Sequence, residues 1–295
     1  MTKKPPMTQK PEQSSFAAHT ARSLLIPVKT SCSNQCIFCS RSQLSGKEET
    51  PYSSLISELK KYPAQNYDCV EIGSDEPLNY KKIRELVSHL KASGFHDIYI
   101  QTTGRKLSKG DFLSELIDLG VTQFRIPLYG TTADLHDQIT QSKGSFDETI
   151  LGLKNLFQQK IKFSIHTLLL KQNLHNLPDL KKFCRDTFKK RLEFNLLHPD
   201  SEKAIEYYRC AAKFSDIPLD VMNDMEPFLP CIHRNKRIPG VQKEYTDRVQ
   251  PGSRFRLERH KLPSCKPCLY FNSCDGYYLQ YFAFYGTAEF QPIIQ

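Results

Sequence analysis

Between Arg22 and Phe214, short apolar runs rich in β-branched residues alternate with longer segments whose apolar positions recur every three to four residues. That alternation is the pattern of parallel βα units. The runs predict six strands, over Ser23–Lys29, Asp68–Gly73, Asp97–Thr102, Gln123–Leu128, Lys162–Leu170 and Leu192–Leu197. The periodic segments predict six helices, over Ser53–Lys61, Tyr80–Ser93, Gly110–Leu119, Phe146–Gln158, Leu177–Phe188 and Glu202–Phe214. Gly94 and Gly120 fall where a helix end favours positive φ, and Ser145 with Glu148 three residues later reads as a capping box. Crossovers repeated six times curl a parallel sheet but stop short of the eight units of a closed barrel. The expected fold class is therefore α/β, a partial (β/α)6 TIM-like barrel over residues 22–214.

After Phe214 the rhythm stops. Residues 215–295 carry Pro218, Pro227, Pro230, Pro239, Pro251, Pro263 and Pro267 together with a group of cysteines, so a small irregular Cys-rich C-terminal region is expected there. Residues 1–21 are rich in Lys, Pro, Gln, Ser and Thr and lack the apolar core of a signal peptide; they read as a flexible N-terminal tail. No peptide-recognition domain is expected ahead of the barrel. No stretch approaches the ~20 apolar residues of a membrane span, and the expected location is cytoplasmic. In that reducing compartment ten cysteines are better explained by metal ligation than by disulfides. The formal charge of +9 suits nucleic acid, an acidic peptide or an anionic cofactor. No aromatic and basic motif of a nucleic-acid module accompanies it, so nucleic acid is not favoured and a solvated basic surface is the ordinary reading.

The loop after the first strand reads Thr30-Ser31-Cys32-Ser33-Asn34-Gln35-Cys36-Ile37-Phe38-Cys39-Ser40, a C-x3-C-x2-C spacing that places three thiolates on one loop. A structural zinc site or a fully ligated cluster wants four protein ligands, whereas three leave one iron open. This segment resembles the radical SAM superfamily, whose motif has this spacing at this position. The resemblance implies that Cys32, Cys36 and Cys39 hold a 4Fe-4S cluster whose fourth iron binds S-adenosylmethionine. It further implies reductive cleavage of that cofactor to a 5'-deoxyadenosyl radical, which abstracts hydrogen from the substrate. An external electron donor such as flavodoxin or ferredoxin is implied as well.

Further segments are similar to the same family. Gly73-Ser74-Asp75-Glu76-Pro77 stands in the place of a G-G-E-P segment that binds the amino group of S-adenosylmethionine, with Asp75 at the second glycine position. Gln101-Thr102-Thr103-Gly104 is similar to T-N-G, with Thr103 replacing Asn. The resemblance thus implies cofactor binding at Gly73, Ser74, Asp75, Glu76 and Thr102. Pro127-Leu128-Tyr129-Gly130 lacks the Ser found near the ribose in many members. Leu135-His136-Asp137 with Gly144-Ser145-Phe146 resembles peptide-modifying members, and orienting the loop is favoured over catalysis for His136 and Asp137. Asn173 after strand five is a candidate to reach the cofactor, and the backbone at Leu197-His198-Pro199 a candidate to meet the adenine.

Near the end, Cys265-Lys266-Pro267-Cys268-Leu269-Tyr270-Phe271-Asn272-Ser273-Cys274-Asp275-Gly276 gives C-x2-C-x5-C, with Cys231 upstream as a fourth thiol. Ligand count suits a second 4Fe-4S cluster or structural zinc equally, and spacing does not separate them. The pattern resembles the auxiliary-cluster extensions, called SPASM or twitch domains, of radical SAM enzymes. Cys69, Cys184 and Cys210 read as small buried hydrophobes. The aromatic run Tyr277, Tyr278, Tyr281, Phe282, Phe284 and Tyr285 is expected to pack this region onto the barrel. The function implied by these resemblances is radical modification of a ribosomally made peptide. The alternatives are modification of RNA or a small metabolite, and a zinc-stabilised nucleic-acid-binding protein; no catalytic acid or base is named.

Overall fold

The structure, a computed structural model, describes residues 22–39, 49–197, 208–225, 229–233, 246–249 and 259–294. The expected tail 1–21, the first part of the helix expected over 202–214, and His198 and Pro199 lie outside the described residues. Strands β1 (Ser23–Val28), β2 (Cys69–Ser74), β3 (Ile98–Gln101), β4 (Gln123–Pro127), β5 (Lys162–Leu168) and β6 (Leu192–Asn195) form in the expected order. Each pairs in parallel with the next. Between them run α1 (Tyr52–Leu59), α2 (Ile83–Ala92), α3 (Gly110–Leu119), α4 (Ala133–Thr140), α5 (Ser145–Gln158) and α6 (Leu177–Phe188). The fold is the α/β partial barrel.

One face of each strand makes the core. Leu24, Ile26 and Val28 of β1, Val70 and Ile72 of β2, Ile98 and Ile100 of β3, Phe124 and Ile126 of β4, and Phe163 and Ile165 of β5 join Leu55, Leu86, Leu90, Leu113 and Leu153 from the helices in one buried cluster. Each such side chain contributes about 1.5–3 kcal/mol relative to exposure. A register slip by one residue would turn the whole row to the other face, so the pairing is firmly set. The alternate residues line the concave side.

The C-terminal region is not separate from this sheet. Thr246–Arg248, β7, pairs in parallel with β1, and the sheet order is β6-β5-β4-β3-β2-β1-β7. Val249, directly after it, is fully buried in the main core. Three residues carry no readable period, so the sequence pattern predicts no strand there. A second cluster brings Leu169 and Leu177 of the barrel together with Tyr208, Phe214, Val221, Tyr277, Tyr281 and Phe290. The aromatic run does pack the region onto the barrel: Phe214 stacks on Tyr281 at 4.7 Å, and Tyr281 Oη accepts from Phe214 N at 2.9 Å.

Three local features differ from expectation. Ser145 and Glu148 form no capping box: Gly144, at φ 81°, precedes the first turn of α5 without a side-chain cap. The carboxylate of Asp137 does the capping instead, accepting from Gly144 N at 2.6 Å and Phe146 N at 2.8 Å. Leu135-His136-Asp137 is not a loop but part of α4, capped by Thr132. The last barrel helix does not continue to Phe214, because the chain turns at Cys210 to pair with the end of β5: Lys171 N donates to Cys210 O and Ala212 N to Leu169 O. Gly94 and Gly120 take φ of 92° and 116°, as helix ends require.

Candidate active site

The first cysteine loop leaves β1 at the C-terminal edge of the sheet and is held at several points. Gln35 N and Ile37 N donate to Thr140 O and Ile139 O at 2.8 and 3.0 Å, which binds the loop to the end of α4. Asn34 is buried and its Oδ1 accepts from Arg105 Nη1 at 2.7 Å. Thr30 N donates to Asp75 Oδ2 at 3.0 Å, and Asn79 Nδ2 to Ser31 O at 2.9 Å. The three thiols share one environment. Cys32 reaches solvent, yet the protein around it still desolvates the thiol and pushes it up to about 11, with Glu76, Cys39 and Asp75 adding to the rise and a backbone hydrogen bond at Asn34 opposing it. Burial raises Cys36 further, reinforced by Cys39 and Cys32. Tyr129 lies buried against the same place: burial, then Cys36, Cys39 and Cys32, hold its phenol well above its usual range. Its ring meets Phe38 edge-on at 5.3 Å.

Cys32 and Cys36, raised first by burial and then by the neighbouring thiols, are costly to ionise alone and favourable partners for a cationic centre, which is the chemistry of an iron-sulfur ligand set. The three cysteines fit such a centre. Among the described residues, no group of three His, Cys, Asp or Glu is drawn in tightly enough around a point to hold a single metal ion.

Beside the loop, β2 ends in a latch. Ser74 adopts φ 105°, a conformation that favours glycine, so the turn into Asp75 and Glu76 carries backbone strain. Glu76 is buried, and its carboxylate accepts from Leu78 N at 3.1 Å, Thr102 Oγ1 at 2.5 Å, Thr103 N at 2.8 Å and Thr103 Oγ1 at 2.5 Å. Thr103, standing where the family has Asn, is therefore an anchor for Glu76. Gly73 faces Glu71 and Leu25, and Asp75 ties down the cysteine loop. These residues and Thr102 all gather at the strand ends next to Cys32. Asn173 plays a different part. It is fully buried, accepting from Leu170 N at 3.0 Å and donating to Leu168 O at 3.0 Å and Tyr129 O at 3.2 Å. Its amide closes the turn after β5 rather than facing the mouth.

His136 and Asp137, both on α4, tie this wall together through hydrogen bonds. His136 Nδ1 accepts from Tyr129 N at 3.2 Å, and burial lowers the imidazole to about 4, with Arg105 adding to the fall and Asp137 opposing it. Tyr129, Asn34 and Arg105 carry no sequence signal of these roles. Each acts through a contact more than thirty residues away or through packing, which no local motif displays.

At the other cysteine group, Cys231, Cys265, Cys268 and Cys274 line a single pocket with Pro230, Lys261 and Gly276. Burial and the neighbouring thiols push Cys231 up to about 11 and raise Cys274 as well. Gly276 N donates to Cys274 Sγ at 3.3 Å. A Cβ on Gly276, at φ 78°, would lie 2.1 Å from His260 O, so only glycine fits there. Sulfur donors with an N–H on one of them fit an iron-sulfur group. The remaining cysteines lie apart: Cys184 is in the main core, Cys210 packs at the mouth beside Tyr129, and Cys69 is half-buried on β2.

Residues 26–184 match the family described as the radical SAM superfamily. The chain belongs to that superfamily. The family carries a 4Fe-4S cluster and uses S-adenosylmethionine. Curated relatives include a probable GTP 3',8-cyclase of Methanocaldococcus jannaschii, 26% identical over 171 residues, covering 56% of this chain and 55% of that one. Another is the PqqA peptide cyclase of Bradyrhizobium diazoefficiens, 27% identical over 175 residues, covering 58% and 45%. The chain thus spans about half the length of these relatives. Among solved structures, Streptococcus suis SuiB bound to precursor peptide SuiA superposes with a TM-score of 0.53 at 18% identity, covering 69% of this chain and 45% of that one. Native anSMEcpe with bound AdoMet and Kp18Cys peptide gives 0.51 at 20%, covering 66% and 56%. These two likenesses establish the radical SAM fold. Among the described residues no helix is long and apolar enough to cross a membrane.

Proposed function

We propose that this radical SAM enzyme modifies a peptide and that its C-terminal region, residues 215–295, carries a second 4Fe-4S cluster on Cys231, Cys265, Cys268 and Cys274. The observation that carries the reading is the pocket those four thiols share, in a region packed onto the barrel through a common apolar core. Relatives named as peptide cyclases support the substrate class. Relatives named as a GTP cyclase and a heme synthase make small-molecule chemistry the second reading.

In this reading Cys32, Cys36 and Cys39 hold the first cluster, while Gly73, Ser74, Asp75, Glu76 and Thr102 shape the cofactor's side of the mouth. When bound, cluster and S-adenosylmethionine together supply, with an electron from an external donor, a radical able to take a hydrogen atom from the substrate. The protein's own part is positional. Asp75, Asn34 and α4 fix the thiol loop, Glu76 fixes the strand ends beside it, and Tyr129 with Phe38 excludes water from its inner side.

Iron analysis tests the second cluster: about eight irons per chain are expected in the anaerobic parent and about four in the triple Ala variant of Cys32, Cys36 and Cys39. One zinc and no iron in that variant would overturn it. The substrate class is tested by supplying perdeuterated peptides or perdeuterated RNA with S-adenosylmethionine and a reductant. Deuterium in 5'-deoxyadenosine from peptides is the expected result; transfer from RNA alone would refute the peptide reading.

A further inference from the structure

The alternation that buries Phe124, Ile126, Phe163, Ile165 and Leu192 in the main core turns Arg125, Ser164, His166 and Glu193 to the concave side of the sheet. In the strand register Arg125 lies beside Ser164, and His166 lies between Pro127 and Glu193. Pro127 is the last residue of β4, so His166 stands close to the mouth where the cysteine loop sits. The Arg125 guanidinium is 3.2 Å from the Glu193 carboxylate. His166 is only 6% exposed, and its Nδ1, like Ser164 Oγ, meets no hydrogen-bonding partner in the protein. A buried polar atom without a partner costs stability. Two of them side by side, on the concave face and outside the roles assigned above, point to a ligand that completes them.

We propose that His166 and Ser164 form a substrate-binding site on the inner wall of the barrel that takes an uncharged hydrogen-bonding group, a peptide amide. The neighbouring charges select that class. An anion placed here would lie against Glu193 and a cation against Arg125, and those two already neutralise each other. Burial, aided by the Arg125 charge, draws the imidazole down to about 3, so it is neutral and offers one donor and one acceptor. An amide offers the complementary pair. The site rests on the reading of a peptide substrate given above, and it adds the residues that grip the peptide inside the barrel.

The test uses anaerobic holoenzyme with S-adenosylmethionine, reductant and a tryptic digest of perdeuterated protein. Deuterium in 5'-deoxyadenosine is measured for the parent, His166→Leu, His166→Gln and Ser164→Ala. Transfer should fall about threefold to tenfold in His166→Leu, the loss of one hydrogen bond to an uncharged group. His166→Gln, which restores a donor and an acceptor, should recover part of it. The dissociation constant for S-adenosylmethionine, read by equilibrium dialysis, should stay within about twofold of the parent's. Ser164→Ala removes only a hydroxyl and should show a smaller drop, so the outcome does not hang on the folding of one variant. Parent-like transfer in both His166→Leu and Ser164→Ala overturns the proposal. A parallel loss of cofactor affinity also overturns it, by placing His166 in the cofactor site. A parent that takes deuterium from no peptide refutes the peptide reading itself and the proposal with it.

Discussion

Replacing Glu76 by alanine removes an acceptor on which four donors converge, two on each carboxylate oxygen. The hydroxyls of Thr102 and Thr103 can rotate to other partners, but the amides of Leu78 and Thr103 are fixed by the backbone. Each amide left unsatisfied in a buried place costs about 1–3 kcal/mol. Allowing for partial relaxation, Glu76→Ala is expected to lose about 2–4 kcal/mol of stability. In a chain of this size each kcal/mol moves Tm by about 2–4 °C, so the melting point should fall by roughly 5–15 °C. Glu76→Gln keeps the shape but turns an NH2 toward donors, and should lie between parent and Ala. Differential scanning calorimetry under anaerobic conditions reads the stability, and equilibrium dialysis reads the affinity for S-adenosylmethionine, which should drop as the strand ends beside Cys32 loosen. The visible absorption of the iron-sulfur centres should persist, because the cysteine loop is anchored through Asp75, Asn34 and α4. A Tm within about 1 °C of the parent's would refute the hydrogen-bond argument. Unchanged affinity would leave Glu76 as a purely architectural latch.

Gly276→Ala sets a Cβ 2.1 Å from the carbonyl oxygen of His260, at a φ of 78° that L side chains rarely adopt; iron per chain should fall from about eight toward about four, and full retention of iron would show that this turn does not shape the second site. His136, drawn down to about 4 by burial, stays neutral in the folded protein, whereas the unfolded chain protonates it near its ordinary value of about 6.5. Stability from this group is therefore intact above pH 6.5 and is lost as pH falls toward 4, by up to about 3 kcal/mol. Urea midpoints at about pH 7.5, 5.5 and 4.5 should show that slope in the parent and a flatter one in His136→Gln; parallel curves for the two would contradict the assignment.

The barrel is legible because β1 to β6 are regular and half of each strand is apolar, so period and order survive without any knowledge of contacts. The cysteine spacing Cys32, Cys36, Cys39 is legible for a related reason, since a ligand set on one short loop is local. Where sequence reasoning fails, the cause is distance along the chain. Ser145 and Glu148 have the right spacing for a capping box, but Asp137 outcompetes them from the turn before, and the charge of Arg105 draws Glu148 away.

Asn173, a cofactor candidate from its place after β5, has its amide fully used by Leu170, Leu168 and Tyr129, a demand visible only once the turn closes. The order of β1 to β6, the face of each that is buried, and the two groups of cysteines are written in the amino-acid order, because they depend on period and short-range spacing, whereas α4 carries no such signal strong enough to set it apart from the loop. Folding in three dimensions was needed to bring Cys231 to Cys265, Cys268 and Cys274 in one pocket, to seat residues 246–248 in the sheet beside β1, and to set Ser164 and His166 together on the concave wall with polar atoms unpartnered. Those outcomes depend on which distant segments the collapse of the core brings side by side, and local preference carries no record of that choice.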